Sequence, residues 1–253
     1  VENYACHVTE ANRPAGQATV ALTIQNRFLC TGTMLNNTAR DNTPYLLTAR
    51  HCTNGSFSPV TADVAPSVVI YWNAMTPCGE PLGEVLYSPN PQRQAGARTV
   101  FEQKDTWVMR LDEGPNVDGV HLAGFDASGG EVDGGYAIHF AVLYNKQYTR
   151  WHGRAFRYVR QPDALAPFPL EVLAVVNEFG VAGPGASGGA LFNSQDRAVG
   201  VASIARVVTS YSGYAQCPAI NPLAPEESNN SGLYHALSSV WTLTEPGTLS
   251  GNV

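Results

Sequence analysis

Charge is scarce in this chain. Lys, Arg, Asp and Glu make up 14% of its 253 residues, and the formal net charge is −6. A balance this small and negative excludes a general electrostatic attraction to nucleic acid or to an anionic membrane surface. No apolar run is long enough to span a bilayer. No cysteine stands in a CxxC pair and no calcium-loop pattern occurs, so the sequence implies no metal and no cofactor. Sequence repeats and low-complexity linkers are absent as well. Sustained helical periodicity is missing until about His235 to Leu243, which could pack as a short C-terminal helix. The first residues, Val1 to Tyr4, carry no initiator Met and no signal-peptide pattern, as expected of a mature, processed chain.

What the chain has in quantity is turn formers, 24 Gly and 17 Pro, between short apolar runs. These runs are Ala18 to Ile24, Phe28 to Leu35, Tyr45 to Ala49, Ser67 to Trp72, Thr106 to Leu111, Tyr136 to Val142, Ala155 to Arg160, Glu171 to Val176, Gly189 to Phe192 and Ala198 to Ile204. Each has strand length and is rich in β-branched and aromatic residues. The pattern predicts an all-β protein of barrels or sandwiches. The polar, turn-forming cluster at 112–118 marks a division into an N-terminal unit, 1–112, and a C-terminal unit, 113–253. Five cysteines, Cys6, Cys30, Cys52, Cys78 and Cys217, are widely spaced. Such spacing suits long-range disulfides and an oxidising, extracellular setting, with at least one thiol left unpaired within the chain.

Three short segments carry chemistry. Gly183 to Ala190 sets Ser187 in a run of glycines ahead of an apolar strand. Glycines there let the backbone turn sharply and aim N–H groups at a reacting carbonyl oxygen. Tyr45 to Cys52 delivers His51 to the end of a strand, immediately before Cys52. A disulfide from Cys52 to Cys30, one strand earlier, would anchor the backbone that carries the imidazole. In the segment Lys104 to Leu111, Asp105 opens a strand. Singly, each residue has an ordinary structural explanation: a loop serine, a surface histidine, a turn aspartate. In the order His, Asp, Ser, they can form a nucleophile, its base and the group that orients the base.

Thr48-Ala49-x-His51-Cys52, Asp105-Thr106 with Leu111, and Gly185-x-Ser187-Gly188-Gly189 together resemble the trypsin-like serine peptidase family. The segments Cys30 to Ala39, Leu47 to Cys52, and Val68 to Asn73 followed by Cys78 are similar to the bacterial lysyl endopeptidase group. These similarities run from Cys6 to about Tyr234. They imply two six-stranded antiparallel β-barrels with the active site between them. They also imply Ser187 as nucleophile, His51 as general base and acid, Asp105 as its orienter, and the N–H groups of Gly185 and Ser187 as the oxyanion hole. Ser203 resembles the serine that supports the aspartate and opens the substrate-binding strand. The resemblance favours a Cys6–Cys78 pair beside Cys30–Cys52, with Cys6–Cys217 the alternative. Protein or peptide substrates are expected, acting on a monomer from which a folding-assisting pro-segment has been removed.

Two departures from the family pattern matter. Ala186 stands where zymogen-type relatives carry the aspartate that pairs with a freed N-terminus. Gly232, in Ser231 to Tyr234, stands where lysyl endopeptidases place an acid, and Val181, six residues before Ser187, stands at the trypsin position for one. A buried cation without a partner is costly. The candidate pocket residues Val181, Ala182, Ile204, Ala205 and Gly232 are uncharged, so the expected P1 residue is apolar and small to medium. Arg206 or His235, near in sequence, would instead favour an acidic P1, and a wider pocket an aromatic one. A catalytically inactive relative used for binding is the competing class, although inactive relatives usually lack a triad residue and this chain retains all three.

Overall fold

The computed structural model describes residues 2–53, 63–87, 92–163, 166–205 and 230–241. One short α-helix, α1 (Arg13–Ala18), precedes a succession of strands. Arg13 and Pro14 open α1, and a proline at a first-turn position sacrifices no intrahelical bond. The first sheet comprises β1 (Thr19–Ile24), β2 (Phe28–Leu35), β3 (Tyr45–Ala49), β4 (Val69–Trp72), β5 (Gln92–Ala95), β6 (Ala97–Gln103) and β7 (Thr106–Leu111). The second comprises β8 (Asp133–His139), β9 (Gln147–Arg154), β10 (Phe156–Arg160), β11 (Leu170–Val176), β12 (Ala190–Asn193), β13 (Ala198–Ala205) and β14 (Ser231–Ala236).

Each sheet has seven strands where six were expected, and the strand orders explain the difference: β5-β4-β1-β2-β3-β7-β6 and β10-β11-β14-β13-β12-β8-β9. The two edges of the first sheet, β5 and β6, are separated only by Gly96, which sits at φ +95°. The two edges of the second, β9 and β10, are separated only by Ala155. In each sheet one bent strand thus supplies both edges, which is how a curled antiparallel sheet comes round on itself. All ladders within both sheets are antiparallel.

The largest apolar core cluster joins Leu22, Met34, Leu46 and Trp107 of the first sheet to Ile138, Phe192 and Val201 of the second. A smaller cluster, with Trp151, Leu173, Leu191 and Tyr234, fills the second sheet's interior. The continuous core across both sheets fixes their relative position, and the catalytic candidates lie on that seam. No helix among the described residues is long and apolar enough to cross a membrane.

The C-terminal helix expected over His235 to Leu243 is not formed within the described residues. Ser231–Ala236 is instead a central strand, followed by a single 3-10 turn, Leu237–Ser239. All six residues of β14 are buried, so the strand lacks the alternation that would have marked it in the sequence.

Candidate active site

β3 ends at Ala49 and runs directly into a 3-10 turn, Arg50–Thr53, which carries His51 to the seam. Cys52 in this turn is joined to Cys30 in β2. The second disulfide, Cys6–Cys78, ties the N-terminal segment to the chain after β4. The pairing implied by the resemblance is thus the one present, and Cys217 lies outside the described residues.

Asp105 sits in the tight turn between β6 and β7, where Lys104 adopts φ 52°. Its carboxylate is fully buried, which is tolerable only if its oxygens are hydrogen-bonded. They are. Oδ1 accepts from the His51 backbone N–H at 3.0 Å, both oxygens lie 3.0 Å from His51 Nδ1, and Ser203 Oγ donates to Oδ2. The Arg50 N–H donates to the Asp105 carbonyl at 3.1 Å. The turn bearing the imidazole and the turn bearing the carboxylate are therefore locked to each other through backbone and side chain. On the other side of the ring, Nε2 lies 2.8 Å from Ser187 Oγ. With Nδ1–H donated to Asp105, Nε2 is left as the acceptor for the serine proton.

Ser187 stands on a loop that only glycine could build. Gly188, at φ +85°, has no room for a side chain: a Cβ would meet Thr48 Oγ1 at 2.1 Å and the Thr31 carbonyl at 2.3 Å. Gly185, at φ +98°, would bring a Cβ to 2.5 Å from the Phe140 carbonyl. Thr31 of β2 clamps the loop from the opposite barrel. Its N–H donates to the Ser187 carbonyl at 2.8 Å, and its Oγ1 donates to the Gly185 carbonyl at 2.8 Å while accepting from the Phe140 N–H at 3.0 Å. Thr48 Oγ1 in turn donates to the Thr31 carbonyl at 2.8 Å. The neighbouring N–H groups are used within the protein: Ala186 donates to Gly183, Gly188 to Ala202 and Gly189 to Ala186. The N–H groups of Gly185 and Ser187 have no acceptor among the described residues. Two N–H donors without an acceptor beside a serine hydroxyl can hold an oxyanion.

Next to Ser187 is a cavity of about 20 Å³ lined by Ala182, Gly183, Ala186, Ala202, Ser203, Ile204, Gly232, Leu233 and Tyr234 together with Ser187 itself. This is room for little more than one water molecule. Ala182, Ser203, Ile204 and Gly232 were expected there, whereas Val181 is half-buried and does not line it. Ala205 is in β13, its side chain outside the described set, and Arg206 lies outside the described residues. His235 faces away from the cavity, toward β7. The sequence reading missed five lining residues, Gly183, Ala186, Ala202, Leu233 and Tyr234. Ala186 is buried in a small cluster with Ala141 and Ala182, where an aspartate would be desolvated. Tyr234 lays its ring over Gly232, so that a Cβ on Gly232 would meet Tyr234 Cε2 at 2.7 Å. Two residues apart on one strand share a face, which was the only available signal for that contact. Thr31 and Thr48 were also missed as supports, although both lie within the segments that carry the resemblance. No cluster of three or more His, Cys, Asp or Glu side chains among the described residues could hold a metal ion.

Residues 2–227 match the family described as lysyl endopeptidase, C-terminal domain. The fold is similar to that of the active form of the Rv3671c protease from M. tuberculosis, with 15% identity over 99% of this chain and 92% of that one, at a TM-score of 0.54. It is also similar to the HtrA-type protease AlgW, at 16% identity over 91% of this chain and 60% of that one, TM-score 0.55. A scabies mite inactivated protease paralogue shares it at 12% identity over 89% of each chain, TM-score 0.54. The chain belongs to the lysyl endopeptidase C-terminal domain family and is a serine peptidase of the chymotrypsin fold.

Proposed function

We propose that the protein is a secreted endopeptidase that cleaves peptide bonds through an acyl-enzyme formed on Ser187. Ser187 Oγ attacks the scissile carbonyl carbon as its proton passes to His51 Nε2. The N–H groups of Gly185 and Ser187 receive the charge that develops on the carbonyl oxygen. His51 then protonates the leaving amine, and a water molecule, deprotonated by His51, releases the acyl group. Asp105 keeps His51 in the required tautomer and stabilises the imidazolium. The observation that carries these roles is the unbroken series Asp105, His51, Ser187, at 3.0 and 2.8 Å, beside two unclaimed N–H donors.

The first barrel, 1–112, supplies the base and its orienter, and the second, 113–253, supplies the nucleophile and the pocket. Two disulfides suit an extracellular setting. Ala186 leaves no carboxylate for an N-terminal ammonium at that position, so maturation proceeds by removal of a pro-segment rather than by that ion pair. The enzyme acts as a monomer on protein and peptide substrates.

The preferred P1 residue is apolar and at the small end, alanine or valine before leucine. The cavity's described walls carry no charge, and the Tyr234 ring occupies the space a side chain at position 232 would need. A lysine entering it would lose its hydration without gaining a carboxylate from the described walls. Cleavage-site profiling of a peptide library tests this: cuts should concentrate after Ala and Val and vanish in Ser187→Ala. Dominant cleavage after Lys would refute the specificity, and undiminished cleavage by Ser187→Ala would refute the mechanism.

A further inference from the structure

Behind the catalytic carboxylate lies a second histidine that the triad leaves unused. His235, in β14, is fully buried. Its Nδ1 is 2.9 Å from Thr106 Oγ1, and its Nε2 is 3.2 Å from Ser239 Oγ. Ser239 Oγ donates its only proton to the Ala236 carbonyl at 2.8 Å. It can therefore only accept from His235, which places the ring proton on Nε2 and leaves Nδ1 as an acceptor. Thr106 fills that acceptor with its hydroxyl proton. The tautomer of His235 is thus set by the turn that follows its own strand.

Thr106 is the residue directly after Asp105 and opens β7, opposite Ala49 of β3. The bond from Thr106 to His235 therefore ties the Asp105 turn to the second barrel one residue from the carboxylate. The other tie from that barrel is Ser203 on Asp105 Oδ2, from the adjacent strand β13. The two ties are of different kinds. Ser203 reaches the carboxylate itself, whereas His235 holds the backbone that presents it.

We propose that His235 is a positioning residue for the peptidase reaction, a neutral crossbar from β14 that holds the Asp105 turn in register with His51 and Ser187. This inference rests on the triad proposed above. Burial lowers the pKa of His235 from 6.5 to about 4, against the pull of Asp105 and Glu171 and with the help of Lys104. The ring therefore remains an acceptor for Thr106 throughout the neutral range. The geometry predicts that severing the crossbar lets the carboxylate drift, so that His51 loses both its orientation and part of the stabilisation of its protonated form.

The test compares Thr106→Val, nearly the same shape without the hydroxyl, with Thr106→Ser, which restores it. His235→Phe and His235→Asn form a parallel pair, since an asparagine oxygen can take the place of Nδ1. Each variant is assayed for kcat, KM and the acid limb of the kcat/KM pH profile on a peptide substrate, with melting temperature measured alongside. Loss of one such hydrogen bond should lower kcat by about tenfold. KM should hold within about twofold, because no substrate contact is removed. The acid limb should move to lower pH in Thr106→Val and His235→Phe, and both values should return toward wild type in the Ser and Asn variants. Folded Thr106→Val with unchanged kcat and an unmoved acid limb would overturn the inference, as would losses that follow melting temperature alone in all four variants. Failure of the triad itself would register separately, as wild-type turnover that survives Ser187→Ala.

Discussion

His51 and Asp105 come from one barrel and are joined within it. A disulfide sits next to the histidine, two strands of one sheet carry the two turns, and two backbone N–H groups from the histidine turn reach the aspartate. Ser187, in the other barrel, has no covalent clip. Its loop depends on backbone conformations open to glycine at Gly185 and Gly188, and on Thr31, which belongs to the barrel opposite. The base side is joined within its own barrel and braced from the other by Ser203 and His235, whereas the nucleophile side borrows its loop geometry across the seam. Damage on the two sides should therefore look different. On the base side stability can be lost without chemistry, whereas on the serine side any loss of loop packing should carry activity down with it.

The largest effect should come from the reacting groups themselves. Ser187→Ala and His51→Ala should each lower kcat by about 10⁴- to 10⁶-fold. Melting temperature should stay close to wild type, and steady-state kinetics with calorimetry on the same preparations would show both. Gly188→Ala comes next and should break the comparison from the serine side. Its Cβ would strike Thr31 and Thr48 at a left-handed φ, so activity and melting temperature should fall together. Thr31→Val should be milder. It removes the hydroxyl that joins the Gly185 carbonyl to the Phe140 N–H, and kcat should drop by about tenfold in a folded protein.

The base side separates stability from chemistry. Removing the Cys30–Cys52 or the Cys6–Cys78 bridge should cost about 2–4 kcal/mol each, read by chemical denaturation. Only the first should alter kcat, because only it adjoins a reacting side chain. Acid stability supplies a further test. His139 and His235 both have pKa values lowered by burial from 6.5 to about 4, so between those pH values the unfolded chain binds more protons than the folded one. Their contribution to stability is complete above pH 6.5 and is lost as pH falls toward 4. A pH series of melting temperatures should show that decline, flattened in a variant lacking His139.

Much of this was legible in the chain because the residues that make strands here are the residues that advertise them. β2, β3 and β7 match their apolar runs to the residue. β5, β6 and β9 were invisible: Gln92–Ala95 is mostly exposed, and Gln147–Arg154 carries polar residues where apolar ones would have signalled a strand. These are the bent strands that close each sheet, and their edges face solvent as much as core. β14 was not read as a strand, and its last two residues fell in the expected helix, because a strand buried on both faces shows no period of two. At the site, the three residues of the proposed triad could be named from the chain because their types and order are rare in combination, and their side chains lie together. The pocket could not, since a wall depends on where side chains point. The β-bulge between Ala202 and Ile204 breaks the register around Ser203, and the Tyr234 ring folds over Gly232. Neither effect is written in local composition.

A fluorophosphonate or diphenyl phosphonate label, mapped by mass spectrometry on the native protein and on His51→Ala, tests the central assignment most directly. It reports the nucleophile, the base that activates it and the oxyanion hole in one reaction. The prediction is one label per chain, on Ser187, with the rate reduced by orders of magnitude in His51→Ala. Absence of label, label on another residue, or equal rates in the two proteins would contradict it.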